Sequence, residues 1–264
     1  MIRGGGDLAS GVALRLQHAG LSIIITERSQ PLVVRRMVSF GEAINTGQIE
    51  VEGVLARRAD SAENALAILS SGAIPVLVDP KAESRQELNP AVLVDARMTK
   101  HPPELGIEAA KLVIGLGPGF SAGLNCHAVV ETQRGHRMGR VIWDGSAQPD
   151  TGIPENIGNQ REARVLRAPL DGTLSVYAEI GEHLEDDQLV AEVAGQKIRA
   201  PFKGVLRGLI HPGTHVWRGL KIGDVDPRDD PSYAWLVSDK SLAVGGGVLE
   251  AILSRPDLRH ELWG

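Results

Sequence analysis

The chain has 264 residues, 42% of them hydrophobic, and a formal net charge of −5 at pH 7. This length is enough for a sizeable core and makes two domains the natural expectation. The small negative charge argues against nucleic acid or an anionic membrane as a partner, so we expect a small-molecule or protein partner. No stretch has the apolar length of a membrane span or the pattern of a signal peptide. The single cysteine, Cys126, excludes an internal disulfide, and the cytoplasm is the expected location.

The segment RGGGDLASG opens the first predicted α/β unit. Gly4, Gly6 and Ala9 have the G-x-G-x-x-G/A spacing of a turn that binds a dinucleotide pyrophosphate at a helix N-terminus. Glu27 ends the next apolar strand, where such sites place the carboxylate that binds the ribose hydroxyls. Asp7 would repel the phosphates unless it caps the following helix. The segment therefore predicts either a nucleotide site that includes these residues or a tight turn without a ligand.

Short apolar runs and helix-like segments alternate through the first half of the chain. The predicted helices cover residues 8–19 and 61–69, the second with Ser61 as its N-cap, and the predicted strands cover residues 23–26, 74–79, 91–96 and 112–116. This order predicts an α/β domain at residues 1–163 with a Rossmann-like open sheet. Only Met1 and Ile2 precede the RGGGDLASG segment, so we expect a longer upstream reading frame that completes the first strand.

Further candidate ligand-binding residues follow the ends of predicted strands. Asp95 and Arg97 share one face of a strand end, where they would bind an anionic ligand or form a structural ion pair. Gly115, Gly117 and Gly119 come at the end of the strand over residues 112–116, at the carboxyl edge where open α/β sheets bind ligands. We expect these glycines to face the first glycine loop across a common crevice.

Cys126 lies in NCHAVVETQRGH, a predicted strand followed by a turn before RVIW, its predicted hairpin partner. A thiol acts as a nucleophile only as the thiolate, which needs a nearby cationic group. His127 points to the opposite face of the strand, so His136 or an arginine is the better partner. The residues leave two interpretations open, a catalytic pair of Cys126 and His136 or a buried structural cysteine. No metal site is predicted, because the ligand spacing is lacking.

A repeat marks the second half of the chain. RAPLDGTLSVYAEIGEHLEDDQLVAEV begins at Arg167 and is answered by RAPFKGVLRGLIHPGTHVWRGLKIGDV, which begins at Arg199, without a gap. Each copy consists of short strands separated by turn residues, which predicts a small pseudo-twofold all-β barrel at residues 164–228. The two AP-x-x-G halves resemble the barrel-sandwich fold of biotinyl and lipoyl carrier domains. Lys197 lacks the flanking methionines of those carriers, which favours a packing or docking role over a covalently bound cofactor.

The C-terminal segment contains LAVGGGVLEAIL, in which Gly245 to Gly247 precede an apolar helical stretch. This pattern predicts a second phosphate cradle or a close-packed turn. Residues 229–264 are expected to pack back on the α/β domain.

Motifs spread over nearly the whole chain carry a further resemblance. In order they are RGGGDLASG, RRMVSFGEA, VDARM, VIGLGPGFSAG, NCHAVVETQRGH, GRVIWDGSA, TGIP and VGGGVLEAIL. Together they resemble the accessory-protein family encoded with selenium-dependent molybdenum hydroxylases. The resemblance implies a cytoplasmic protein that serves the maturation of a xanthine-dehydrogenase-like enzyme, whose molybdenum centre must acquire a labile selenium or sulfur ligand.

Within this resemblance we expect the glycine loops to bind a small nucleotide-containing ligand, either NAD(P) or a molybdopterin-type cofactor. Cys126 would relay the selenium or sulfur with His136 assisting proton transfer. The barrel would dock the hydroxylase or its selenium-donor proteins, and a homo-oligomer is compatible with this role. Two alternatives stay open, an NAD(P)-dependent oxidoreductase and a non-catalytic assembly scaffold.

Overall fold

The computed structural model describes residues 1–149 and 163–263 of the chain. The TGIP motif at residues 151–154 lies outside these ranges. Within them, no helix combines the length and the apolar character needed to cross a bilayer.

Eleven strands belong to the first part of the chain. They are β1 (Ile2–Arg3), β2 (Ile25–Glu27), β3 (Gln48–Val51), β4 (Val54–Ala59), β5 (Ile74–Val78), β6 (Val92–Asp95), β7 (Leu112–Leu116), β8 (Ser121–Ala122), β9 (Ala128–Val130), β10 (Val141–Ile142) and β11 (Gly145–Ser146). A nine-stranded mixed sheet has the order β10-β9-β7-β6-β1-β2-β5-β4-β3, while β8 and β11 form a separate pair. All neighbours in the large sheet are parallel except the two edge pairs, β9 with β10 and β3 with β4.

Six α-helices are present in the described residues. They are α1 (Asp7–His18), α2 (Ala43–Thr46), α3 (Ala62–Ser70), α4 (Arg85–Leu88), α5 (Asp239–Leu253) and α6 (Pro256–Trp263). Short 3-10 helices cover Arg36–Val38, Phe40–Glu42, Ile107–Ala109 and Pro231–Ala234.

The local predictions for the first half of the chain are confirmed. The four predicted strands correspond to β2, β5, β6 and β7, and the two predicted helices correspond to α1 and α3. Ser61 caps α3, because its hydroxyl accepts a hydrogen bond of 3.0 Å from the amide of Asn64. The predicted hairpin also forms, since β10 pairs antiparallel with β9. These elements were predictable because their apolar residues follow the spacing of their own secondary structure.

The repeat folds into two four-stranded antiparallel sheets. Its strands are β12 (Val165–Arg167), β13 (Gly172–Val176), β14 (His183–Leu184), β15 (Leu189–Val193), β16 (Gln196–Arg199), β17 (Gly204–Leu209), β18 (His215–Val216) and β19 (Lys221–Asp226). The sheet orders are β12-β19-β17-β14 and β16-β15-β13-β18. Gly172 pairs with Val216, and their counterparts in the other copy, Gly204 and Leu184, pair with each other. The pairing therefore has the pseudo-twofold symmetry that the sequence repeat predicts.

The core of the repeat is completed by residues from the first half of the chain. Leu32, Val34 and Met37 pack against the buried residues of the two small sheets. A Cβ atom on Gly208 would lie 2.7 Å from the carbonyl oxygen of Val34, so the two parts of the chain touch through their backbones. The segment after β2 therefore fastens the repeat to the large sheet.

The C-terminal glycines lie inside a helix, which corrects the prediction of a phosphate cradle or turn. Gly245 to Gly247 are part of α5, which packs along α1. A Cβ atom on Gly245 would lie 2.6 Å from the carbonyl oxygen of Gly11, and a Cβ atom on Gly11 would lie 2.5 Å from the Cβ atom of Ser241. The glycines therefore let the two helices approach closely, and their amides are used by the helix itself.

Alanine substitutions at two adjacent glycines of α5 should have opposite effects on stability. Gly246 is exposed with nothing within 4 Å of its Cβ position, so Gly246→Ala should raise the free energy of unfolding by about 0.5–1 kcal/mol through helix propensity. Gly247 is buried and its Cβ would overlap the carbonyl oxygen of Gly139, so Gly247→Ala should lower it by about 1–3 kcal/mol. Urea denaturation measures both, and a loss of stability of similar size in the two variants would contradict this packing.

Candidate functional site

A cleft of about 950 Å³ opens at the carboxyl edge of the parallel strands. Its wall includes Arg3, Glu27, Val78 and Arg97, which lie at or just beyond the ends of β1, β2, β5 and β6. The strands β2 and β6 flank β1 on opposite sides, so the cleft lies where the strand order reverses. Open α/β sheets bind ligands at such a switch point, and the volume is typical of a small-molecule site.

The three glycines of the first loop have different surroundings. Gly4 adopts the left-handed conformation with φ +93°, and a Cβ atom there would lie 3.3 Å from Cγ of Arg97. A Cβ atom on Gly5 would lie 2.6 Å from Cα of Gly41, so the chain passes very close behind the loop. Gly6 faces the cleft, and the nearest atom to its Cβ position is Cγ1 of Val33 at 3.8 Å. Gly6 is thus the position at which the missing side chain leaves open space.

Glu27 lies beside the glycine loop, in the cleft, as its spacing suggested. Its Oε2 accepts a hydrogen bond of 2.8 Å from the amide of Gly5, and its Oε1 accepts one of 2.7 Å from the amide of Arg28. Each carboxylate oxygen accepts a second hydrogen bond without losing the first. Glu27 therefore fixes the loop and remains available to hydroxyl groups in the cleft, while ribose binding stays a prediction.

The carboxylate of Asp7 is held by partners that the sequence did not indicate. Its Oδ2 lies 2.9 Å from Nη1 of Arg35, and its Oδ1 accepts a hydrogen bond of 2.7 Å from the hydroxyl of Ser241. Arg35 is 7% exposed and also donates to the carbonyl oxygens of Tyr233 and Leu236. The charge of Asp7 is therefore balanced, which reduces the repulsion of phosphate expected from the sequence. The signal for Arg35 was its place in the RRMVSFGEA motif.

Asp95 and Arg97 form the ion pair that was one of their two predicted roles. The guanidinium of Arg97 donates to both oxygens of Asp95, with distances of 2.9 Å from Nε to Oδ1 and 2.7 Å from Nη2 to Oδ2. Arg3 joins them at 3.3 Å from Asp95, and Glu104 accepts hydrogen bonds from Arg3 and Arg97. Hydrogen bonds from Arg97 lower the pKa of Glu104 to about 2, so the Glu104 carboxylate is ionised at neutral pH.

Two buried polar atoms of the cleft residues lack a partner within the described part of the chain. They are Nε of Arg3 and the hydroxyl oxygen of Thr26, on side chains that are 0% and 1% exposed. Buried polar groups in native proteins are almost always hydrogen-bonded, and exceptions indicate a water or a ligand. Both residues line the cleft, but the two atoms themselves are covered by protein, so a ligand would reach them only after a local rearrangement.

Gly115, Gly117 and Gly119 do not line this cleft, so the expected common crevice is not formed. A Cβ atom on Gly115 would overlap the ring of Phe120. At Gly117 the Cβ atom would lie 2.5 Å from the hydroxyl oxygen of Thr132, and at Gly119 it would lie 2.5 Å from the carbonyl oxygen of Thr99. The space at the Cβ positions of these glycines is filled by the chain itself, so their missing side chains serve packing.

The predicted catalytic pair of Cys126 and His136 is not brought together. Cys126 is 0% exposed and belongs to an apolar cluster with Leu93 and Val129. Burial raises the pKa of its thiol to about 11, so the nucleophilic thiolate is scarce at neutral pH. His136 lines a different cavity, of about 570 Å³, together with Arg140. The structure therefore favours the structural interpretation of Cys126, because a relay requires an accessible thiolate.

Among the side chains that the structure describes, no group of three or more His, Cys, Asp or Glu residues is arranged to hold a metal ion.

The thiol of Cys126 should be unreactive in the folded protein. Because it is the single cysteine, a chromogenic disulfide reagent reports on this residue alone. At pH 8 we expect no release of the chromophore over an hour from the folded protein and one equivalent after unfolding in guanidinium, since a buried thiol of raised pKa reacts poorly. Rapid stoichiometric reaction of the folded protein would contradict this placement and revive the relay hypothesis.

Comparisons with known proteins do not assign an activity to the chain. No family model matches the chain. The chain is 45% identical over 253 residues to Uncharacterized protein YqeB of Escherichia coli (strain K12), which covers 96% of this chain and 47% of the relative. The chain thus spans about half the length of that curated relative. The apo structure of the ectoine utilization protein EutE (DoeB) from Ruegeria pomeroyi aligns over 55% of this chain and 63% of that chain, at 13% identity. The TM-score of 0.23 is too low to indicate a shared fold.

Proposed function

We propose that the chain binds a nucleotide-containing ligand, NAD(P) or a molybdopterin-type cofactor, in the glycine-loop cleft and serves the maturation of a molybdenum hydroxylase. One observation carries the binding proposal. Gly6 opens to the cleft at the N-terminus of α1, directly after β1 at the switch point of the sheet. An open backbone and a helix N-terminus at a switch point together match what a phosphate-bearing ligand requires.

The strand order supports a Rossmann-like sheet. The strands β5-β2-β1-β6-β7-β9 follow one another in the sheet, and all their pairings are parallel. Numbered along the chain without the added β3, β4 and β8, this order is 3-2-1-4-5-6, the arrangement of dinucleotide-binding sheets. The first turn of α1 follows β1 directly in that arrangement, as the pyrophosphate-binding turn does.

Each cleft residue then has a physical role. The amides of the first turn of α1 lack acceptors within the helix, and beside Gly6 they would donate hydrogen bonds to the phosphate oxygens. Arg35 neutralises Asp7, so the adjacent negative charge does not oppose the phosphates. Glu27 would accept hydrogen bonds from ribose hydroxyls. Because a carboxylate repels a 2′-phosphate, Glu27 favours NAD over NADP if the ligand is a nicotinamide dinucleotide.

The maturation role is supported by the order of the sequence motifs and by the character of the repeat. The two small sheets resemble the barrel-sandwich carriers, yet Lys197 lies within β16 opposite Glu192, and the hairpin turn is formed by Ala194 and Gly195. A docking role for the barrel fits this placement better than covalent attachment at a turn. With Cys126 buried, we assign the protein to cofactor binding and docking rather than to sulfur chemistry by its own thiol.

A methyl group at Gly6 should weaken nucleotide binding, because it would fill the open space beside the loop. Gly6→Ala fits the backbone, since Gly6 has φ −75°, and should keep the fold while weakening ligand binding at least about ten-fold by obstructing phosphate approach. Thermal-shift titrations with NAD, NADP, ATP, CTP and molybdopterin measure this, because a ligand of the folded state raises the melting temperature. Gly246→Ala, which has the same chemical change at an open surface site, is the matched control and should bind normally.

Two results would overturn the binding proposal. One is the absence of a shift with all five compounds in the unsubstituted protein. The other is a shift of equal size in the Gly6→Ala variant, which would place the ligand elsewhere. The first result would favour the assembly scaffold.

If the protein serves maturation, deletion of its gene should impair the hydroxylase, and the Gly6→Ala variant should not restore hydroxylase activity. In a bacterium with a selenium-dependent molybdenum hydroxylase, deletion of the gene should leave the hydroxylase protein at its normal level but lower its activity and selenium content. The unsubstituted gene and a Cys126→Ala gene should restore both, whereas Gly6→Ala should not. Normal activity and selenium content in the deletion strain would contradict the role.

A further inference from the structure

We infer that Arg3 and Arg97 form an oxyanion subsite that Glu104 fills in the unliganded protein, and that a phosphate group of the ligand displaces this carboxylate. The inference deepens the proposed function, since it concerns the same cleft, but it requires only a diphosphate group and not a particular nucleotide. The subsite is a second phosphate position, in addition to the one at α1, and the carboxylate of Glu104 competes with phosphate for it.

The two guanidinium groups are held in place by a permanent carboxylate. Arg3 is fully buried and donates to Asp95 and, at 2.9 Å, to the carbonyl oxygen of Pro80. Arg97 forms a bidentate ion pair with the same Asp95, whose side chain is 4% exposed. Asp95 thus orients both arginines toward one point, and that point is occupied by the carboxylate of Glu104.

Glu104 differs from Asp95 in being replaceable. Its side chain is 56% exposed, and it lies between β6 and β7, outside any helix or strand. Rotation of its own side chain would carry the carboxylate into water. The vacated arginines would then have a single carboxylate between them, which is unfavourable for buried charges. Another anion in the same position restores the charge balance. Replacement of the Glu104 carboxylate by a ligand anion therefore costs less free energy than its departure alone.

The position of the subsite favours phosphate. Arg97 and Arg3 line the cleft together with Gly6, and Cγ of Arg97 lies against Gly4. An anion held by the two arginines would therefore adjoin the cleft that the first turn of α1 also lines, and a helix N-terminus favours phosphate. Guanidinium groups match phosphate oxygens with paired hydrogen bonds. One diphosphate group would engage both places, with Glu104 moved outward.

The competitor lowers affinity in a measurable way. Binding requires the fraction of molecules in which Glu104 has left, so the apparent dissociation constant is raised by the reciprocal of that fraction. Removal of the charge of Glu104 should remove this cost. It should also leave an excess positive charge that an added anion stabilises.

The test is the affinity for inorganic pyrophosphate, measured by calorimetry. Glu104→Gln, which keeps the shape and removes the charge, should bind pyrophosphate at least about ten-fold more tightly than the unsubstituted protein. Glu108→Gln, at an exposed position nearby on the same segment, is the matched control and should not change the affinity. Glu104→Asp keeps the charge on a shorter side chain and should give an intermediate affinity, which provides a second variant if Glu104→Gln does not fold. Succinate should bind Glu104→Gln more weakly than pyrophosphate.

The outcomes separate this inference from the nucleotide proposal. Equal pyrophosphate affinity in the unsubstituted protein, Glu104→Gln and Glu104→Asp would overturn the inference even if NAD binds at the cleft. Tighter pyrophosphate binding by Glu104→Gln without any nucleotide binding would support the subsite and reject the nucleotide. Succinate binding more tightly than pyrophosphate would overturn the assignment to phosphate.

Discussion

The close contact between Gly5 and Gly41 fixes the geometry on which the cleft depends. The amide of Gly41 donates to the carbonyl oxygen of Gly5 at 2.7 Å, while Glu27 accepts from the amide of Gly5 on the other side. With both sides of Gly5 held, Gly4 and Gly6 have a defined orientation, and the open face of Gly6 is directed to the cleft. A side chain at Gly5 would separate the two segments, because its Cβ atom would lie 2.6 Å from Cα of Gly41.

The segment that carries Gly41 also joins the other parts of the molecule. Arg35 binds Asp7 and two carbonyl oxygens of the C-terminal segment, and buried Glu42 lies 2.6 Å from Nδ1 of His211 in the repeat. Around the cleft, buried Arg35 is paired with the partly exposed Asp7, and buried Arg3 is paired with buried Asp95. This balance limits the desolvation cost of placing charges beside a binding site, and it makes the exposed Glu104 the carboxylate that a ligand can replace most readily.

Three glycine-rich runs that look alike in the sequence have three different structural roles. The first, at residues 4–6, turns the chain at a switch point. The second, at residues 115–119, makes room for the chain's own atoms, such as the ring of Phe120. In the third, at residues 245–247, Gly245 lets α5 pack closely on α1 and Gly247 lets it pack against Gly139. Glycine indicates that a side chain is not tolerated, but what occupies the vacant space is set by neighbours distant in the chain.

Elements whose signals are local or periodic could be predicted from the sequence. The central strands, α1, the cap of α3, the repeat and the proximity of Glu27 to the glycine loop all follow from spacing within a few tens of residues. The burial of Cys126 and the contacts of Arg35 and Glu104 could not be predicted, because they depend on tertiary packing. Arg3 and Glu104 are separated by 101 residues and Arg35 and Leu236 by 201, so no periodicity along the chain connects them. Such contacts arise from the packing of whole elements, which a single sequence does not display.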